Sequence, residues 1–117
     1  MIKGNIEKLT LENKFYRHVL QTTSESQLVL MSLEKNEYIP EETHSTTTQF
    51  IRIEHGKGVA KIGNQIYRIK DGDFLLIPSG VSHFIKNTGE TLKLYSIYSP
   101  SVHKSDLITK RQPEETE

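Results

Sequence analysis

Two short stretches of this chain carry side chains whose types and spacing could do chemistry. The first is Glu41-Glu42-Thr43-His44 followed by Gln49, which offers a carboxylate, an imidazole and an amide. The second is Gly72-x5-Pro78-x-Gly80-x2-His83-x3-Asn87. Glu42 and His44 are two positions apart, so on a strand both project to one face. A carboxylate and an imidazole inside a barrel need a partner, and a divalent cation satisfies both. Gln49 has the opposite parity, but Ser45-Thr46-Thr47-Thr48 could supply a turn or bulge that brings it to the same interior. His83 follows a Pro-Ser-Gly turn, opens a strand, and points inward if Phe84 points outward.

Each of these residues also has a plainer role. His44 and His83 could be buried histidines bonded to backbone, and Glu41 competes with Glu42 for the inward position. Gln49 could simply hydrogen-bond inside the barrel. Arg52, Lys86 and Lys93 read as solvated strand faces, and His18 and His55 as surface residues. His103 reads as a tether for the C-terminal segment. Parity does not decide whether Tyr38, Tyr67, Tyr95 and Tyr98 line a pocket or pack in sheets. Phe50 and Phe84 are expected to face away from His83.

The elements that must position these groups are strands. Gln27–Leu33 is one continuous buried stretch, while 50–54, 65–69 and 92–98 alternate polar and apolar residues. Phe74-Leu75-Leu76-Ile77 is short and apolar, bounded by turn residues on both sides. Gly63-Asn64 between two apolar runs signals a two-residue hairpin. Ile6, Leu9 and Leu11 fit a strand or a short helix equally well. Turns recurring every ~8–12 residues favour a sandwich or closed barrel. The apolar-free end, from Thr109 to Glu117, reads as a frayed tail.

Composition narrows the function classes. The 117 residues suit one domain, with 34% hydrophobic and 26% charged residues. Fifteen basic residues balance fifteen acidic ones, so neither a nucleic acid nor an anionic membrane surface is an expected partner. No apolar run approaches the roughly 18 residues that span a bilayer. The start, Met1-Ile2-Lys3-Gly4-Asn5, lacks the apolar core of a signal peptide, so a cytoplasmic protein is expected. With no cysteine, any metal must be held by nitrogen and oxygen donors.

The two stretches resemble the paired motifs of the cupin superfamily. Gly72, Pro78, Gly80, His83 and Asn87 match every fixed position of the second motif, G-x5-P-x-G-x2-H-x3-N. The first motif, G-x5-H-x-H-x4-E-x6-G, is matched at His44 and Gly56 but carries Asn36, Glu42 and Gln49 at its other positions. Residues 13–17, 27–33, 49–52 and 92–100 look like the small cupins labelled mannose-6-phosphate-isomerase-like. That resemblance implies an all-β, double-stranded β-helix (jelly-roll) barrel over residues 1–104, with a polar C-terminal tail over 105–117. It implies one divalent metal (zinc, manganese, iron, nickel or cobalt) on Glu42, His44, Gln49 and His83. It also implies a homodimer and a small-molecule ligand or substrate. Two functions are then expected: metal-dependent chemistry of a sugar-phosphate-isomerase or dioxygenase type, or non-catalytic binding of a small molecule or sugar. The group commonly has an acidic residue just before the glutamine, where this chain has Thr48.

Overall fold

The structure, a computed structural model, describes residues 2–113. It opens with one short helix, α1 (Ile6–Glu12), which settles the ambiguous first stretch. The Asn5 side chain accepts a hydrogen bond from the Lys8 amide at 2.9 Å and caps the helix. Ile6 and Leu9 then face Leu20, Leu28 and Ile97 across a groove on the outer side of a sheet. Among the described residues, no helix is long and apolar enough to cross a membrane.

The strands are β1 (Arg17–Thr22), β2 (Gln27–Leu33), β3 (Tyr38–Glu42), β4 (Thr48–His55), β5 (Lys57–Ile62), β6 (Gln65–Lys70), β7 (Phe74–Ile77), β8 (His83–Asn87), β9 (Leu92–Ser99) and β10 (Ile108–Thr109). They form a six-stranded sheet, ordered β10-β1-β2-β9-β4-β7, and a four-stranded sheet, ordered β3-β8-β5-β6. All pairings are antiparallel. From β3 to β9 the chain crosses repeatedly between sheets, with only the β5–β6 hairpin staying in one. That winding is the double-stranded β-helix, and the fold is all-β with a jelly-roll core.

Alternation along the strands sorts the residues between faces. On β9, Leu92, Leu94, Ser96 and Tyr98 are buried, whereas Lys93, Tyr95 and Ile97 are half-buried or exposed. Register then builds inner rows across the large sheet. Arg17, Met31, Leu94 and Ile53 make one row, and Val19, Val29, Ser96 and Ile51 the next. A third row runs Gln27, Tyr98, Gln49, Ile77. The first two rows are mostly core hydrocarbon, while the third sets the buried amides Gln27 and Gln49 beside Tyr98 and Ile77. Polar side chains therefore gather toward one end of the barrel.

The motif positions divide by role. Asn36 adopts φ +70°, a left-handed conformation that asparagine tolerates better than most non-glycine residues, so it serves where the motif has glycine. The Asn87 amide is not a site residue. Its nitrogen donates to the carbonyls of Leu33, Glu34 and Glu90 at 3.0, 2.9 and 3.3 Å, and its oxygen accepts from the Gly89 amide at 2.9 Å.

Two expectations change. The stretch from 107 to 112 is not frayed: Tyr16 and Val19 donate their amides to the carbonyls of Lys110 and Leu107, both at 3.0 Å. Arg111 reaches the carboxylates of Glu34 and Glu37 and the Ser32 carbonyl. Leu107 packs against the core, and beyond it the segment holds by hydrogen bonds and charge, which apolar patterning cannot reveal. Residues 114–117 lie outside the described residues. Lys93 is not simply solvated either, since its ammonium donates to the Asn13 carbonyl behind α1 and burial lowers its pKa.

Candidate metal centre

The site is assembled by β3, the loop after it, β4 and β8. Glu42 ends β3 directly opposite His83, the first residue of β8. Glu41 is exposed while Glu42 is half-buried, so Glu42 takes the inward position. His44 lies two residues on, and its carbonyl accepts the Gly80 amide at 2.8 Å. That bond ties the loop carrying one histidine to the turn preceding the other. Gly80 has φ +82°, which explains a glycine there. The rings of His44 and His83 are 5.3 Å apart between centroids, and His44 Nε2 is 3.7 Å from Glu42 Oε2.

His83 is almost fully buried, at 2% exposure. Burial lowers its pKa, and the nearby His44 adds to this, against opposing pulls from the Val81 carbonyl and Glu42. The ring is therefore neutral at pH 7. Its Nδ1 is 3.2 Å from the Val81 carbonyl, which can only accept, so Nδ1 carries the proton and Nε2 keeps its lone pair.

Gln49 arrives from the opposite sheet. It is 2% exposed, and its amide nitrogen donates to Ser96 Oγ at 3.2 Å. Its Oε1 is buried with no hydrogen-bond partner. Gln49 stands opposite Tyr98 in the β4–β9 register, and the Tyr98 ring meets His44 edge-on at 5.8 Å. The amide thus shares a row with a side chain that touches the histidine pair.

Sequence reasoning missed what lies behind Tyr98. The buried Gln27 accepts the amides of Val102 and His103 at 3.3 and 3.0 Å and donates to the His103 carbonyl at 2.8 Å. Thr47 Oγ1 adds a bond to the Pro100 carbonyl at 3.0 Å. This clamp sets the His103 ring edge-on to Tyr98, centroids 5.1 Å apart, with Nε2 at 3.4 Å from the Tyr98 hydroxyl. Burial, then the charges of Arg17 and His44, lower the His103 pKa to about 4. Burial raises that of Tyr98 above its ordinary value, although Arg17 opposes the rise. Both groups are neutral at pH 7. The clue in sequence was a polar Gln27 opening a mostly apolar run.

Among the described residues, no three His, Cys, Asp or Glu side chains by themselves form a group able to hold a metal ion. The donors nevertheless suit one. Two ligands about 2.0–2.2 Å from a common ion, at tetrahedral or octahedral angles, sit about 2.8–3.6 Å apart, and the Glu42–His44 separation of 3.7 Å is just beyond that range. The free Nε2 of His83 and the orphaned oxygen of Gln49 are uncommitted donors. A buried acceptor without a partner is rare in native proteins and calls for an explanation, which a cation supplies.

A jelly-roll barrel with this polar end defines a cupin. The cupin-domain family matches residues 29–98, and the chain belongs to it. It is similar to an uncharacterized protein of Acanthamoeba polyphaga mimivirus, 41% identical over 115 residues, covering 94% of this chain and 72% of that one. It is also 41% identical over 106 residues to the uncharacterized protein YrkC of Bacillus subtilis, covering 85% of this chain but only 57% of YrkC. The crystal structure of the Bacillus halodurans protein BH2720 superposes with a TM-score of 0.92 at 35% identity, covering 94% of this chain and 89% of that one.

Proposed function

We propose that this cupin binds one divalent metal ion on Glu42, His44, Gln49 and His83 and acts on a small polar metabolite. The observation that carries this reading is the buried Gln49 oxygen without a partner, in the row that meets the His44–His83 pair. The ion, when bound, supplies a Lewis acid for a carbonyl or hydroxyl oxygen. Glu42 contributes the one formal negative charge of the set. His83 is oriented by its Nδ1 bond to Val81, and Ser96 orients Gln49. The Tyr98 hydroxyl offers a neutral hydrogen-bonding group beside them. Two imidazoles with two oxygen donors accept zinc, manganese, iron, nickel or cobalt. The resemblance to mannose-6-phosphate-isomerase-like cupins favours isomerase-type chemistry, with a dioxygenase as the rival.

A second reading keeps the metal and removes the turnover, making the barrel a small-molecule binder. It is favoured by His103 and Tyr98, whose pKa values are pushed away from neutrality and so suit proton transfer poorly.

Elemental analysis of protein purified without chelator tests the shared claim. The expected result is one metal ion per chain, lost in His83→Ala while the fold persists by circular dichroism. Metal content unchanged in His83→Ala overturns it. Turnover of hydroxycarbonyl or sugar-phosphate substrates by the loaded protein then separates the two readings.

A further inference from the structure

Arg17 is out of place for its position. It lies on the inner face of β1, in a row whose other members, Met31, Leu94 and Ile53, are each 0% exposed core residues. Among the described inner-face residues of the six-stranded sheet, it carries the formal charge. Its Nε is buried and unpartnered, and among the described residues no carboxylate pairs with its guanidinium. Arg111 provides the contrast. Its Nε is also unpartnered, but its two Nη groups engage Glu34, Glu37 and the Ser32 carbonyl. The Arg17 guanidinium instead hangs 5.3 Å from the Tyr16 ring centroid.

Its row lies two rows from the polar one, but its charge is felt there. Tyr16 is pinned by its hydroxyl, which donates to the Tyr38 carbonyl on β3 at 2.8 Å. The Arg17 charge acts on Tyr16, Tyr98 and His103, and Glu42 acts on the two tyrosines with opposite sign. Arg17 and Glu42 therefore act on the same two tyrosines with opposite sign, and among the described residues they form no ion pair. A cation kept half-buried with no counter-ion lacks the pairing that buried charges ordinarily have.

We propose that Arg17 is the anion-binding group of this barrel and that its ligand is a small carboxylate. The guanidinium is planar and presents paired N–H donors that match a carboxylate fork. A single arginine, with no lysine or second arginine on this inner face among the described residues, suits one carboxylate better than a phosphate dianion. The identification of the other end of the ligand rests on the metal reading above. With a divalent ion, Glu42 and Arg17, the interior carries about +2. That charge suits a dicarboxylate or a carboxylate bearing a second ionisable oxygen.

The test is calorimetric titration of malonate into chelator-treated and manganese-loaded protein, with malonamide as the uncharged control. Wild type is expected to bind malonate in both forms, more tightly when loaded, and to ignore malonamide. Arg17→Met keeps the aliphatic stem and is expected to weaken malonate binding tenfold or more, with metal content unchanged. Arg17→Lys keeps charge but loses the fork and is expected to fall between. Equal affinity in wild type and Arg17→Met, equal binding of malonamide, or no malonate binding by wild type overturns the proposal. If Arg17→Met does not fold, Arg17→Lys decides, and an affinity equal to wild type overturns it. Arg17-dependent malonate binding by a protein that takes up none of zinc, manganese, iron, nickel or cobalt would leave this inference standing and sink the metal reading alone.

Discussion

Gln49 reaches Ser96 diagonally across the β4–β9 pair, with the amide nitrogen of one 3.2 Å from the hydroxyl of the other. That single bond fixes the amide and leaves Oε1 buried without a partner. An unsatisfied buried polar group costs about 1–3 kcal/mol. Gln49→Leu removes that penalty but also the Ser96 bond, so in metal-free protein the variant is expected to unfold within about 1 kcal/mol of wild type. In the presence of excess manganese or zinc, wild type should gain a stabilisation that the variant lacks. Thermal melts with and without metal check this, and equal metal-induced shifts in both proteins would remove Gln49 from the ligand set.

Gly56 predicts a large effect at a motif position away from the chemistry. Its φ is +104°, and an added Cβ would run into the Thr91 carbonyl oxygen, which is backbone and cannot swing aside. Gly56→Ala is expected to cost about 2–4 kcal/mol, combining left-handed strain with a steric clash. Gly80 also has positive φ, +82°, but nothing lies within 4 Å of its added Cβ. Gly80→Asn should therefore cost only about 1 kcal/mol. Urea denaturation of the two variants measures the difference, and equal losses would contradict it.

Acid sensitivity follows from His103. Its folded pKa is lowered to about 4 by burial and by the charges of Arg17 and His44, against 6.5 unfolded. Above 6.5 both states hold the ring neutral. As pH falls from about 6.5 to about 4, the unfolded chain binds a proton that the native protein refuses, and stability declines. His83 has the same sign and contributes to the same slope. His103→Gln is expected to flatten the decline without abolishing it. Denaturation midpoints of metal-free protein at about pH 7.5 and about pH 4.5 provide the comparison; an unchanged slope in the variant would count against a neutral, clamped His103.

The C-terminal clasp makes a separate prediction. Arg111 bridges Glu34, Glu37 and the Ser32 carbonyl, while Gln112 accepts the Tyr38 amide at 2.7 Å. Arg111→Ala leaves the Ser32 carbonyl unpaired and is expected to destabilise by about 1–2 kcal/mol. Because the Arg111–Glu34–Glu37 charges are partly exposed, high salt should shrink that difference. Melting temperatures of both proteins at low and high salt test it, and a salt-independent difference would assign the effect to the carbonyl bond alone.

Much of this protein was legible in its residues because local geometry enforces it. The proline–glycine turn set the start of β8 at His83, whereas His44 lies in the loop beyond β3, so its approach to Glu42 is a matter of loop conformation and not of strand parity. The asparagine at 36 was tolerated for a conformational reason, its φ of +70°, that a motif comparison records only as a mismatch. Asn87 matched its motif perfectly, yet its amide holds three backbone carbonyls, a role that spacing alone does not distinguish from ligation.

What the sequence by itself determined was the alternation that makes the strands and the turns that order them, since each depends on residues a few positions apart. Tertiary structure decided the rest, because it concerns groups brought together from distant stretches. Gln49 meets Tyr98 only through the β4–β9 register, and Gln27 reaches 76 positions along the chain to hold His103. Arg17 reads as an ordinary basic residue near a strand start. Only the closure of the two sheets turns its face into the interior, where the surrounding hydrocarbon leaves its charge without a partner.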